Sequence, residues 1–160
     1  PMLRHMATNW NMFCAYLPLT LQSSLIVGLS YVAIDQRSCD TSSFNTLLQP
    51  FVQDIISIVS SPSFVASGEY LRVQNVSKLT RAITVLSYIA YNMKQVRNKE
   101  VKSMYIEVLR STLPLLLQIF PVYLNASYVR GQASSTKLHG VALSIIKLEI
   151  VLFDSMIPPV

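Results

Sequence analysis

The stretch from Glu100 to Leu124 limits what this chain can become more than any other. Val101, Met104, Tyr105, Val108, Leu109 and Thr112 recur three and four residues apart, which aligns them on one side of an α-helix. Leu113-Pro114-Leu115-Leu116-Leu117 follows and opens an apolar run to Leu124. A proline in a helix interior removes a backbone hydrogen bond and clashes with the preceding turn, at about 3 kcal/mol; in a first turn it costs little. The pattern therefore predicts a helix ending near Arg110, a corner, and a second helix restarting with Pro114 in its first turn.

Apolar residues make up 51% of the chain and charged residues 13%, against about 25% charged in an ordinary domain. Such a chain is either unusually well buried or cut from a larger protein whose neighbouring elements cover its ends, and the second is expected. Residues 1–6 read as an expression scar and 7–160 as a single domain. Ser60-Ser61-Pro62-Ser63 and Ser67-Gly68 mark the clearest internal boundary, near 60–68. No charge falls between His5 and Asp35 or between Arg110 and Arg130, but prolines and amides interrupt both runs. Core helices account for them better than a membrane span of about 20 apolar residues. Cys14 and Cys39 have no metal-ligand spacing and read as buried thiols in a reducing compartment. Asn-x-Ser triplets occur at Asn75 and Asn125; one such match is expected by accident in a chain this long, so the two are weak evidence for secretion. An intracellular setting, nuclear or cytoplasmic, is expected.

Along the chain, Thr8 could cap a short helix through Trp10, Phe13 and Tyr16, and Pro18 marks a corner before a stripe of Leu21, Leu25, Gly28, Leu29 and Val32. Asp35 to Asn45 is turn-rich. Asn45 or Thr46 then caps a helix with Pro50 early in it and Leu48, Phe51, Val52, Ile55, Ile56 and Val59 as its buried side. No glycine occurs from Glu69 to Arg130, which suits long helices. Leu79, Ala82, Ile83, Leu86, Ala90 and Met93 form another stripe, and Lys94 to Lys99 is a short polar connection. Ser134, Ser135 or Thr136 can cap a last helix from Leu138 to about Met156. It is apolar on nearly every side and so is expected to be central. Six or seven helices and no strand are expected.

Leu-Pro-Leu-x-Leu corners occur at Leu17 to Leu21 and at Leu113 to Leu117. Together with Leu-Ser-Tyr-Ile-Ala in the helix 79–93, they resemble HEAT or armadillo-type repeats of the kind found in karyopherins and other scaffolds. The resemblance implies an all-α fold of antiparallel helix pairs stacked as an α-solenoid, and a surface that binds proteins or peptides and performs no chemistry. A compact helical bundle is the alternative.

Catalysis finds little material. His139 is the sole plausible base outside the scar, and nothing local places Cys14 or Cys39 beside it as a nucleophile. No His/Cys/Asp/Glu cluster suits a metal, and no glycine-rich phosphate loop is present, so no enzyme, cofactor or metal is expected.

Charge is more informative. Eight of the thirteen basic residues lie between Arg72 and Arg110, giving that segment +6 while the remainder carries −1. The plain account is a solvated rim around an apolar array. As a recognition surface, Arg72, Lys78, Arg81, Lys94, Arg97, Lys99 and Lys102 would attract an acidic peptide or, alternatively, nucleic acid. Aromatic residues do not interleave with these cations as a single-strand platform requires. The expectation is a non-enzymatic scaffold domain that holds an amphipathic, acidic partner peptide or helix in an apolar groove beside the Lys94–Lys102 corner.

Overall fold

A computed structural model of the protein describes residues 16–34, 41–129 and 132–156, together with His5, Asn9 and Met12. Among them are six α-helices, a 3-10 turn and no strand: α1 (Leu19–Ile34), α2 (Thr41–Val59), α3 (Ser63–Ala66), the turn Glu69–Leu71, α4 (Val73–Met93), α5 (Lys99–Val129) and α6 (Gln132–Met156). The protein is all-helical. The short helix expected through Trp10 and Phe13, both cysteines and the closing prolines lie outside the described residues.

α4 is the most surrounded element. It packs on α1, α2 and α6, and α5 packs on α2 and α6, while the backbones of α4 and α5 seldom come close although these helices follow one another in the chain. α2 and α6 thus each lie against both α4 and α5, which meet one another chiefly through side chains such as Tyr105. One continuous core runs through all of these helices and includes Phe64 of α3, so the serine-rich stretch near 60–68 does not interrupt it. The expected stripe of α4, Leu79, Ala82, Ile83, Leu86, Ala90 and Met93, is buried throughout. α1 begins directly after Pro18, whose carbonyl accepts from the Gln22 amide at 3.0 Å.

Four expectations need correction. Pro114 does not break the chain: α5 is one helix of 31 residues with Pro114 and Pro121 inside it. Its buried positions Val101, Tyr105, Val108, Thr112, Leu116, Ile119 and Tyr123 keep their three-and-four spacing straight past Pro114. Both prolines are exposed, as are Arg110 and Leu117, whose carbonyls lose their amide partners, so water can satisfy them. The seam against α2 and α6 decides the outcome over local propensity. α2 likewise starts at Thr41, not near Asn45, which leaves Pro50 in mid-helix while Phe44, Leu47, Leu48 and Phe51 anchor both sides of it.

α6 starts at Gln132, ahead of the serines expected to cap it. Nor is it central: Leu138, Val141, Ala142, Ile145 and Leu148 are buried, but Leu143 and Ile150 face outward. A helix packed on two neighbours on one side has an outer face whatever its composition.

The end of the molecule where α4 begins is tied internally. Gly68 takes a left-handed conformation (φ 72°) that turns the chain from α3 into the 3-10 turn. Phe64, Tyr70 and Tyr123 meet with ring centroids 6.1–6.4 Å apart. The Tyr123 hydroxyl donates to the Tyr70 carbonyl at 2.9 Å, and burial, with Tyr70 nearby, pushes its pKa well above the ordinary tyrosine range.

α5 is long and apolar enough, between Lys99 and Ala126, to cross a membrane by length and composition. The core helix of a domain passes the same test; Tyr105, Leu116, Ile119 and Tyr123 are packed in the core here, while 28% of the apolar window as a whole is buried.

Candidate partner-binding site

The connection between α4 and α5 is built with care for its backbone. Beyond Met93 the amides of Gln95 and Val96 donate back to Asn92 and Met93 at 3.1 and 3.3 Å. The Val96 side chain is buried and pins the turn to the core. Asn98 then caps α5: its Oδ1 accepts from the amides of Glu100 and Val101 at 2.8 and 3.3 Å, satisfying donors that a helix start leaves free. The outcome is a fixed corner bearing Lys94, Arg97 and Lys99 in solvent, with Lys102 half-buried one turn into α5. None of these four cations forms an ion pair with a described side chain.

Beneath the corner lies a cleft of about 460 Å³ lined by Ala90, Met93, Lys94, Lys102, Tyr105, Ile106, Leu109, Leu113 and Leu152. It opens where α4 and α5 face each other beside the end of α6. Its floor is apolar, and Lys94 and Lys102 are the charged residues of its lining among the described residues. Tyr105 is consumed by the fold: its hydroxyl donates to the Leu86 carbonyl of α4 at 2.5 Å. Burial drives its pKa far above the tyrosine range, with the Ala90 backbone opposing more weakly. The cleft therefore presents a phenol ring and not a phenol hydroxyl. With no carboxylate, imidazole or thiol among its described lining, it is a place to bind an apolar body with a negative end.

The other three cations named from the sequence sit elsewhere. Arg81 is largely buried and bridges three helices: one guanidinium nitrogen lies 3.0 Å from Asp54 Oδ2 of α2, and the other donates to Gln22 of α1. Its guanidinium also lies 5.5 Å from the centre of the Phe51 ring. Lys78 reaches the second Asp54 oxygen at 3.5 Å, and Arg72 approaches Glu69 at 3.9 Å. The structure thus gathers Lys94, Arg97, Lys99 and Lys102 at one corner and leaves Arg72, Lys78 and Arg81 towards the far end of α4. His139 is exposed on α6. No three His, Cys, Asp or Glu side chains gather to hold a metal among the described residues.

Two features escaped the sequence reading. Ile106 and Leu152 line the cleft: Leu152 continues the buried α6 series after Leu148, while the signal for Ile106 is a parallel series, Ile106, Leu109, Leu113, Leu117 and Phe120, displaced by one position from the buried one. A second groove of about 460 Å³ lies between α4 and α6, where Tyr88 and Tyr91 stand beside Lys147 and Ile150. Comparison of the chain with profiles of known protein families, with characterised proteins and with solved structures returned no match in any of the three.

Proposed function

We propose that this chain is a non-enzymatic interaction domain that holds an amphipathic, acidic helix in the cleft between α4 and α5. The observation that carries this reading is the coincidence of an apolar cleft with two lysines at its mouth that pair with no carboxylate among the described residues. Apolar side chains of the partner would displace water from Met93, Ile106, Leu109 and Leu113, while its carboxylates meet Lys94 and Lys102. In the same proposal the helices form a compact bundle in preference to a solenoid of stacked pairs. A stacked pair would place α4 directly against α5, and the backbones of these two seldom come close. An intracellular partner belongs to this reading.

The test is a fluorescence-anisotropy titration of a labelled amphipathic helical peptide carrying glutamates, against the chain and its Lys94→Glu/Lys102→Glu variant. We expect the variant to bind about ten-fold more weakly while keeping its helical circular dichroism and its melting temperature. Equal affinity would remove this cleft as the site. Nucleic acid is the runner-up, and its support is thinner, because Arg72, Lys78, Arg81 and Arg110 are each paired with a carboxylate within the domain. A steep salt dependence of binding to a DNA duplex, lost in the same variant, would favour it.

A further inference from the structure

The proposed cleft has a direction, and resting on that reading the geometry points to the orientation of its occupant: a helix lying antiparallel to α5, with a carboxylate-bearing C-terminal turn against Lys94 and Lys102. Two observations set this. The first is that the apolar lining does not end with the cleft. Ile106, Leu109 and Leu113 continue along α5 into Leu117 and Phe120 at the same three-and-four spacing, and Ile106 and Leu117 are 49% and 47% exposed. From Lys102 to Phe120 this track runs about 27 Å at 1.5 Å per residue, roughly five turns, which a helix of matching stripe can cover.

The second observation is that unpaired positive charge gathers at one end of the track, since Glu107 and Arg110 midway along it pair with each other. Lys94, Arg97, Lys99 and Lys102 stand at the start of α5. That start is also the positive end of the α5 dipole, with Glu100 the acidic residue of its first turn. A partner helix presenting its own positive N-terminus there would meet five sources of like sign. Reversed, its C-terminal carbonyls carry partial negative charge and its acidic side chains reinforce them. Charge complementarity thus selects the antiparallel arrangement, while the apolar track alone would accept either.

Two synthetic peptides of about 18 residues, identical in composition and apolar stripe, decide it. One carries three glutamates in its last turn and the other carries them in its first. Against the full chain, the C-terminal version should bind about five-fold tighter. The preference should vanish in Lys94→Glu/Lys102→Glu, and Leu117→Glu should weaken both peptides. Equal or reversed preference in the native chain overturns the orientation and leaves the cleft assignment standing. Failure of both peptides overturns the cleft assignment and the orientation with it. Binding to phosphatidylserine vesicles, abolished by Leu117→Glu and unaccompanied by peptide binding, overturns both in favour of a lipid surface.

Discussion

The two ends of α4 carry cations of the same kind and use them in opposite ways. At one end Arg81 and Lys78 share the two oxygens of Asp54, and Arg81 also reaches Gln22, so that α1, α2 and α4 meet through one guanidinium. At the other, Lys94 and its neighbours pair with no carboxylate among the described residues. Positive charge is structural where a buried acid faces it and available where none does. Position along one helix, and not residue type, separates the two.

The sharpest way to break that contrast is at the anchored end. We predict that Arg81→Ala lowers stability by about 3 kcal/mol in urea denaturation. It strands Asp54 with only the partly exposed Lys78 and removes the packing over Phe51. A loss below about 0.5 kcal/mol would mean that the pairing is ornamental and the two ends alike.

α5 joins the two ends, and its continuity is open to test. Pro114→Ala should stabilise by about 2 kcal/mol: an interior helix gains about 3, from which loss of proline's restraint on the unfolded chain subtracts up to about 1. A helix that broke at this point would gain nothing and would lose a good first-turn residue.

Tyr105 ties the open end together through Leu86, and its pH response has a definite sign. Unfolded, the phenol ionises near 10.0; folded, its pKa is raised by burial. The contribution is therefore complete below about pH 10 and is lost as pH climbs above that value, where only the unfolded chain gives up the proton. Tyr105→Phe should cost about 1 kcal/mol at neutral pH and flatten the alkaline fall in stability. An unchanged alkaline slope would place the effect elsewhere, with Tyr123 next to be replaced. Smallest of all should be Lys94→Ala, within about 0.5 kcal/mol of the native stability; a larger loss would show that this corner, too, is anchored.

How far these ends could be read from the chain follows from what periodicity encodes. The α4 stripe from Leu79 to Met93 was legible because a three-and-four pattern reports directly which side meets the core. The corner at Lys94–Lys102 was legible for the complementary reason, a local run of cations between two stripes. Pro114 misled because proline's cost is local, whereas the seam from Val101 to Tyr123 spans the whole helix and places the freed carbonyls in water. α6 misled because apolar content on all sides says nothing of how many neighbours a helix finds. Arg81 could not be sorted from Lys94 at all: its partners Asp54 and Gln22 lie 27 and 59 residues away in sequence.

The separation of α4 from α5 also governs how the domain can assemble. Consecutive helices usually zip into a hairpin early, since little chain must be closed between them. Here that shortcut is missing: α4 finds its lateral support in α1, α2 and α6, and α5 in α2 and α6. A nascent chain released only as far as Val129 would hold both long helices with α2 but without α6, the larger of their two common neighbours. Folding should therefore await the emergence of α6, and a truncation before Gln132 should destabilise α4 and α5 together, not α5 alone.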